Sequence, residues 1–216
     1  MCGIIAVVRR HSGRPLPDPA AICDPLDHAS RLLDALIGGG RQGDAAGLPA
    51  DTPDLVAEAA GAVQAADLLL RGVPGVRALL ETAGLAAQVS NLIDGIDLQV
   101  AALESALDAD TTITGVELER VNASLIELKD AVWAVRRDRL RAAEGVTALV
   151  GMGANPASVA VGLSLHQALS ALDRLEVRGR DSAGIHLLLR GHGIDLDSPA
   201  LRADLAARHG DPLFGS

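Results

Sequence analysis

Apolar positions recur at helical spacing along most of this chain, and two short runs depart from that period. Ile4 to Val8 is β-branched apart from Ala6 and reads as a buried strand. Gly184 to Leu189 reads as a second strand. Between them the pattern is helical. Leu26, Ala29, Leu33 and Leu36 step along a helix that Asp24 caps and Pro25 opens, with Gly38-Gly39-Gly40 as its stop. Thr52-Pro53 opens a second helix by the same logic, which carries Leu55, Val56, Ala59, Val63 and Leu70 and runs to Gly72. Pro74 restarts the chain into a long helical region that Gly84 is placed to interrupt. Leu92, Ile96, Val100, Leu103 and Leu107 form one apolar stripe on it, ending near Ala109.

After a β-branched break at Thr111 to Thr114, Thr114 and Glu117 have capping-box spacing. A second stripe follows: Leu118, Val121, Leu125, Leu128, Val132 and Val135, spaced by threes and fours. Acidic Glu117 and Glu119 near the start and Arg136, Arg137, Arg139 and Arg141 near the end match the helix dipole. Residues 74 to 150 are therefore predicted to form an antiparallel helical hairpin, its stripes facing each other or a partner. Trp133, beside the second stripe, reads as core. Asn155-Pro156 caps a further helix lined by Val159, Leu163, Leu169, Leu172 and Leu175, with Gly179 as its stop. Residues 201 to 207 read as one short helix.

Composition narrows the class. The 216 residues allow one or two domains, and the apolar share of 49% is ample for a core. With one Trp, one Phe and no Tyr, that core is built from Ala, Leu and Val. The net charge of −9 argues against nucleic acid or an anionic membrane as partner. No apolar run reaches the ~18 residues of a membrane span, and the start lacks the basic segment of a signal peptide. Cys2 and Cys23 give neither a disulfide framework nor a metal-binding spacing, so a reduced, cytoplasmic protein is expected. The histidines are scattered, and no metal or cofactor is assigned. The loop from Arg10 to Pro19 and the Gly-, Ala- and Asp-rich stretch from Gly38 to Asp51 read as connections.

Cys2 is the candidate with chemistry. Once Met1 is removed, it carries a thiol and a free α-amine on one carbon, the arrangement of an N-terminal nucleophile that uses its own amine as base. The amine's reference pKa of about 8 lies near working pH. Cys23 reads as a small apolar filler.

A second stretch bears on this one: Leu175-Glu176-Val177-Arg178-Gly179-Arg180-Asp181-Ser182-Ala183-Gly184. Together with Cys2-Gly3-Ile4-Ile5, it resembles the glutaminase domain of glucosamine-6-phosphate synthase, a class II glutamine amidotransferase. That family starts Cys-Gly-Ile and later carries Leu-Glu-Tyr-Arg-Gly-Tyr-Asp-Ser-Ala-Gly. Val177 and Arg180 stand in place of the tyrosines, and the other positions match. The resemblance spans residues 2 to 9 and 163 to 190. It implies that Cys2 attacks the side-chain amide of L-glutamine, releases ammonia and leaves a glutamyl thioester for water. It implies an architectural role for Arg178, Gly179, Asp181, Ser182 and Gly184. The ammonia would pass to a sugar phosphate such as fructose 6-phosphate, held by a domain that this chain does not contain.

The expected fold class is α+β: an incomplete N-terminal-nucleophile hydrolase sheet of two strands with a large all-α insert, so mostly helical. Residues 1–37 and 151–216 would form the partial amidotransferase domain, and 38–150 the linker and helical insert, through which the chain could self-associate. The family's Arg-Trp loop and its Asn-Gly oxyanion pair have no counterpart here. The chain is therefore expected to be the front piece of a longer enzyme and inactive alone. The alternative is a non-enzymatic helical interaction protein in which the sheet pieces are relics.

Overall fold

Asp18 starts the first helix. Its side chain accepts from the Ala20 N–H at 2.9 Å and its carbonyl from the Ile22 N–H at 3.3 Å. Helix α1 then runs Pro19–Gly39. The cap expected at Asp24-Pro25 is thus displaced to Asp18-Pro19, and Pro25 lies inside the helix. Proline removes one ladder hydrogen bond there. Burial of Ile22, Cys23 and Leu26 at 0%, 4% and 0% exposure offsets that loss and holds the first turns in register.

The computed structural model describes residues 4–10, 12–39, 47–113, 115–175, 184–191, 193, 195 and 197–209. They fall into two compact units, residues 1–179 and 180–216. In the first unit α1 is followed by α2 (Thr52–Leu70), α3 (Gly72–Glu81), α4 (Leu85–Ala109) and α5 (Val116–Trp133). A π-helical segment, Ala134–Leu140, continues α5 directly into α6 (Arg141–Val150), and α7 spans Pro156–Leu175. The widened turn shows where the Arg141 N–H donates to the Arg136 carbonyl, five residues back. The second unit holds α8, Pro199–Arg208, whose cap Ser198 accepts from the Leu201 N–H at 3.4 Å.

Most of both stripes is buried, Ile96, Val100, Leu103 and Leu107 on α4 and Val121, Leu125, Leu128 and Val132 on α5, whereas Leu118 is 37% exposed and Leu92 only partly buried, with Ile93 in the core beside it. The stripes do not principally face each other. α4 packs chiefly on α1, α5 on α2, and α1 on α2. The α4–α5 seam is narrower and bridged by charge: Lys129 to Glu104 at 2.7 Å, and Arg136 to Asp97 and Asp94 at 2.8 and 2.6 Å. These pairs run in opposite residue order, so the two helices are antiparallel. A single apolar core joins residues of α1 through α7, from Ile22 to Leu163.

The expected sheet is absent: no residue among those described lies in a strand. Residues 4–8 and 184–189 have no regular structure, and Ile4, Val8 and Leu188 are 95%, 88% and 75% exposed. β-branched composition favours a pleated, half-buried surface only when neighbouring strands supply it. Without a ladder, the backbone of such a run bonds to water instead. The α+β expectation therefore gives way to an all-helical body. Trp133 is 52% exposed rather than core. One residue beyond Val132, it is turned off the buried stripe.

Candidate functional site

Two arginines fix the segment behind Cys2 to the helical body. Arg9 donates from Nε to Ser164 Oγ at 2.8 Å and from Nη2 to Gln167 Oε1 at 2.7 Å, both on α7. Burial lowers the pKa of its guanidinium. Arg14 donates to the carbonyls of Leu68 at 2.9 Å, Leu69 at 3.0 Å and Arg71. These carbonyls lie in the last turn and at the C-cap of α2, where a cation is favoured by both hydrogen bonding and the helix dipole; that of Leu68 also accepts from the Arg71 N–H at 3.4 Å.

Cys2, Arg178, Gly179, Asp181 and Ser182 lie outside the described residues. So do Thr114, the hydroxyl of the expected capping box, and the stop expected at Gly179. Gly184 is exposed in an irregular stretch, and a Cβ there would meet nothing within 4 Å. Cys23 is buried on α1, and its thiol pKa is raised by that burial, then by Asp27 and Asp24. A thiol held protonated is a poor nucleophile.

The structure assembles a feature that no sequence motif announced. A cleft of about 390 Å³ opens between the end of α2, α3, the π-helical segment, α6 and α7. Arg137, Arg139, Arg141 and Arg174 line it together with Asp138, Asp173, His166, Gln167 and Ser170. The basic residues here are the ones expected to end a helix. The backbone instead continues through them to Val150, so their charge serves the cleft wall rather than a terminus.

Asp67, 3% exposed, fixes one of these cations. Its Oδ1 accepts from Arg139 Nε at 2.7 Å, and its Oδ2 from Arg71 Nε at 2.8 Å and Nη2 at 2.5 Å. His166 of α7 packs against the bare Cα of Gly145 on α6. Burial and then the charge of Arg141 push its pKa down, so the ring favours the neutral form. Ser170 Oγ lies 3.4 Å from His166 Nε2, too long for an activated nucleophile. Among the described residues no group of His, Cys, Asp or Glu forms a metal site, and no helix is long and apolar enough to cross a membrane.

No protein-family model, curated protein or solved structure matches the chain.

The signal for this cleft in the sequence was the basic cluster Arg136 to Arg141 together with Asp67, a lone acid on an apolar face. Neither pointed to α7, which contributes His166, Gln167 and Ser170 from some thirty residues further along.

Proposed function

We propose that the chain is the front part of a cytoplasmic class II glutamine amidotransferase resembling glucosamine-6-phosphate synthase, with Cys2 as the nucleophile that releases ammonia from L-glutamine for transfer to a sugar phosphate. The reading rests on one observation: Cys2-Gly3-Ile4-Ile5 and Leu175 to Gly184 occur together, in the family's order. The buried, pKa-raised thiol of Cys23 leaves Cys2 as the reactive candidate. The exposed Ile4, Val8, Ile185 and Leu188 are apolar surface that a partner structure would cover.

The test is covalent. The protein, expressed in full with its initiator methionine removed, is treated with a glutamine-mimicking electrophile, and the adduct is mapped by peptide mass. An adduct on Cys2 that disappears in Cys2→Ala is the expected result; an adduct on Cys23 alone overturns the assignment. The 216-residue chain by itself is expected to release ammonia no faster than its Cys2→Ala variant. Each missing oxyanion donor costs on the order of 10²–10³ in rate.

A second reading, a non-enzymatic helical interaction module, draws on the exposed Ile126 and Trp133 of α5, at 62% and 52%. Intact mass separates the two: retained Met1 blocks the amine that the nucleophile needs and favours the interaction module.

A further inference from the structure

We propose that the cleft between the π-helical segment, α6 and α7 is a binding site for a small phosphomonoester. The proposal is independent of the amidotransferase reading and rests on how the cleft is lined.

Guanidinium groups outnumber carboxylates along it: Arg137, Arg139, Arg141 and Arg174 against Asp138 and Asp173. This occurs in a chain whose net charge is −9, so the excess is local and opposed to the whole. The cations differ in their engagement. Arg139 is held through Nε by buried Asp67, which leaves its terminal nitrogens as the free ends of a preorganised fork. Arg137 and Arg141 have no side-chain hydrogen bond or ion pair among the described residues. Arg174 has a distant partner, Asp138 at 3.9 Å. Unpaired and half-paired guanidinium groups converging on one hollow match the planar, bidentate geometry that phosphate oxygens accept.

The neutral groups agree. Gln167 spends its Oε1 on Arg9, so its amide NH₂ is left to donate. The depressed pKa of His166 favours a neutral ring, whose Nδ1 packs against Gly145 and whose Nε2 faces Ser170. The volume of about 390 Å³ falls in the range of small-molecule sites and exceeds what a bare phosphate fills. Asp138 and Asp173 would repel a second anionic group but accept hydrogen bonds from hydroxyls. The ligand is therefore one phosphate on a small polar body. The π-helical turn supplies the wall: it carries Arg137 and Arg139 and widens the helix where they stand.

The experiment uses the full chain at low ionic strength, titrated with glycerol 3-phosphate, inorganic phosphate and glycerol while amide shifts are followed by NMR. Saturable shifts at Gln167, Ser170 and Arg141, with glycerol 3-phosphate bound more tightly than phosphate and glycerol not bound, are expected. Arg141→Ala should weaken binding about tenfold or more, the effect of one charge-assisted hydrogen bond. Arg137→Ala, which breaks no hydrogen bond or ion pair among the described residues, should weaken it in the same direction. Arg120→Ala should leave it unchanged, because Arg120 pairs with Asp54 in the first turn of α2, about 24 Å of helix from the cleft. Absence of saturation, phosphate bound as tightly as glycerol 3-phosphate, or affinities unmoved by both cleft variants would each overturn the proposal.

Discussion

Asp67 takes two arginines, and the burial of its own carboxylate sets the worth of the contact. With the Asp67 side chain 4% exposed and that of Arg139 20% exposed, the pair is screened far less than a surface ion pair. Asp67→Ala leaves Arg139 and Arg71 without their shared acceptor. The expected loss of stability is about 2–3 kcal/mol, read from the urea midpoint; a loss under about 0.5 kcal/mol would place it with exposed pairs. His166 gives a pH prediction at the same scale. Its folded-state pKa lies below the ordinary 6.5, so the unfolded chain takes up the proton more readily. Its contribution to stability is full above that ordinary value and is lost as pH falls through the folded-state value. In Arg141→Ala the imidazole pKa should rise part of the way back, leaving the shift due to burial. Titration of the ring protons by NMR reads both, and an unmoved or lowered value in the variant would contradict the assignment.

At the scale of the element, one substitution should act with opposite sign at two glycines. Gly61 is exposed in α2, and a Cβ added there would meet nothing within 4 Å. Gly61→Ala should stabilise by up to about 1 kcal/mol through helix propensity and a stiffer unfolded chain. Gly75 is buried in α3, where a Cβ would overlap the Leu70 carbonyl and backbone at the end of α2. Backbone cannot rotate aside as a side chain does, so Gly75→Ala should cost about 3 kcal/mol or more. Thermal melting decides; the same sign at both would mean that propensity outweighs packing. The helix starts were legible where proline follows a cap. Asn155-Pro156 behaves so, with the Ser158 N–H on Asn155 Oδ1 at 3.0 Å. At Thr52-Pro53 the cap position is Asp51, and Thr52 Oγ1 donates to the Pro49 carbonyl at 2.6 Å. Asp18-Pro19 and Asp24-Pro25 offer the same local chemistry, and the burial of Ile22 selects the earlier one.

For the whole molecule, the core decides which fragments stand alone. Ile22, Leu26, Leu33 and Leu36 are at most 1% exposed, and α1 packs against both α2 and α4. A fragment of residues 52–150 lacks that surface. It should show helical circular dichroism but a broad, non-cooperative melt. Residues 1–179, which retain every member of the core from Ile22 to Leu163, should melt cooperatively. A sharp transition in the shorter fragment would mean that α4 and α5 find each other without α1.

Local pattern determined where this chain is helical, because the period of apolar residues is a property of each segment and the buried stripes on α4 and α5 follow it. It also marked Cys23 as a small apolar filler, though ahead of the cap expected at Asp24; packing buries it inside α1 instead. It could not say which stripe meets which: matching periods permit α4 on α5 as readily as α4 on α1, and only the summed burial over all helices chooses. Nor could it settle the β-branched runs, whose conformation depends on strands that must come from elsewhere in sequence. The cleft belongs to the same class. Arg139, Arg141 and His166 reach it from the π-helical segment, α6 and α7, and Asp67 of α2 holds Arg139 in place. Segments this far apart share no local period, so their convergence arises only when the helices pack.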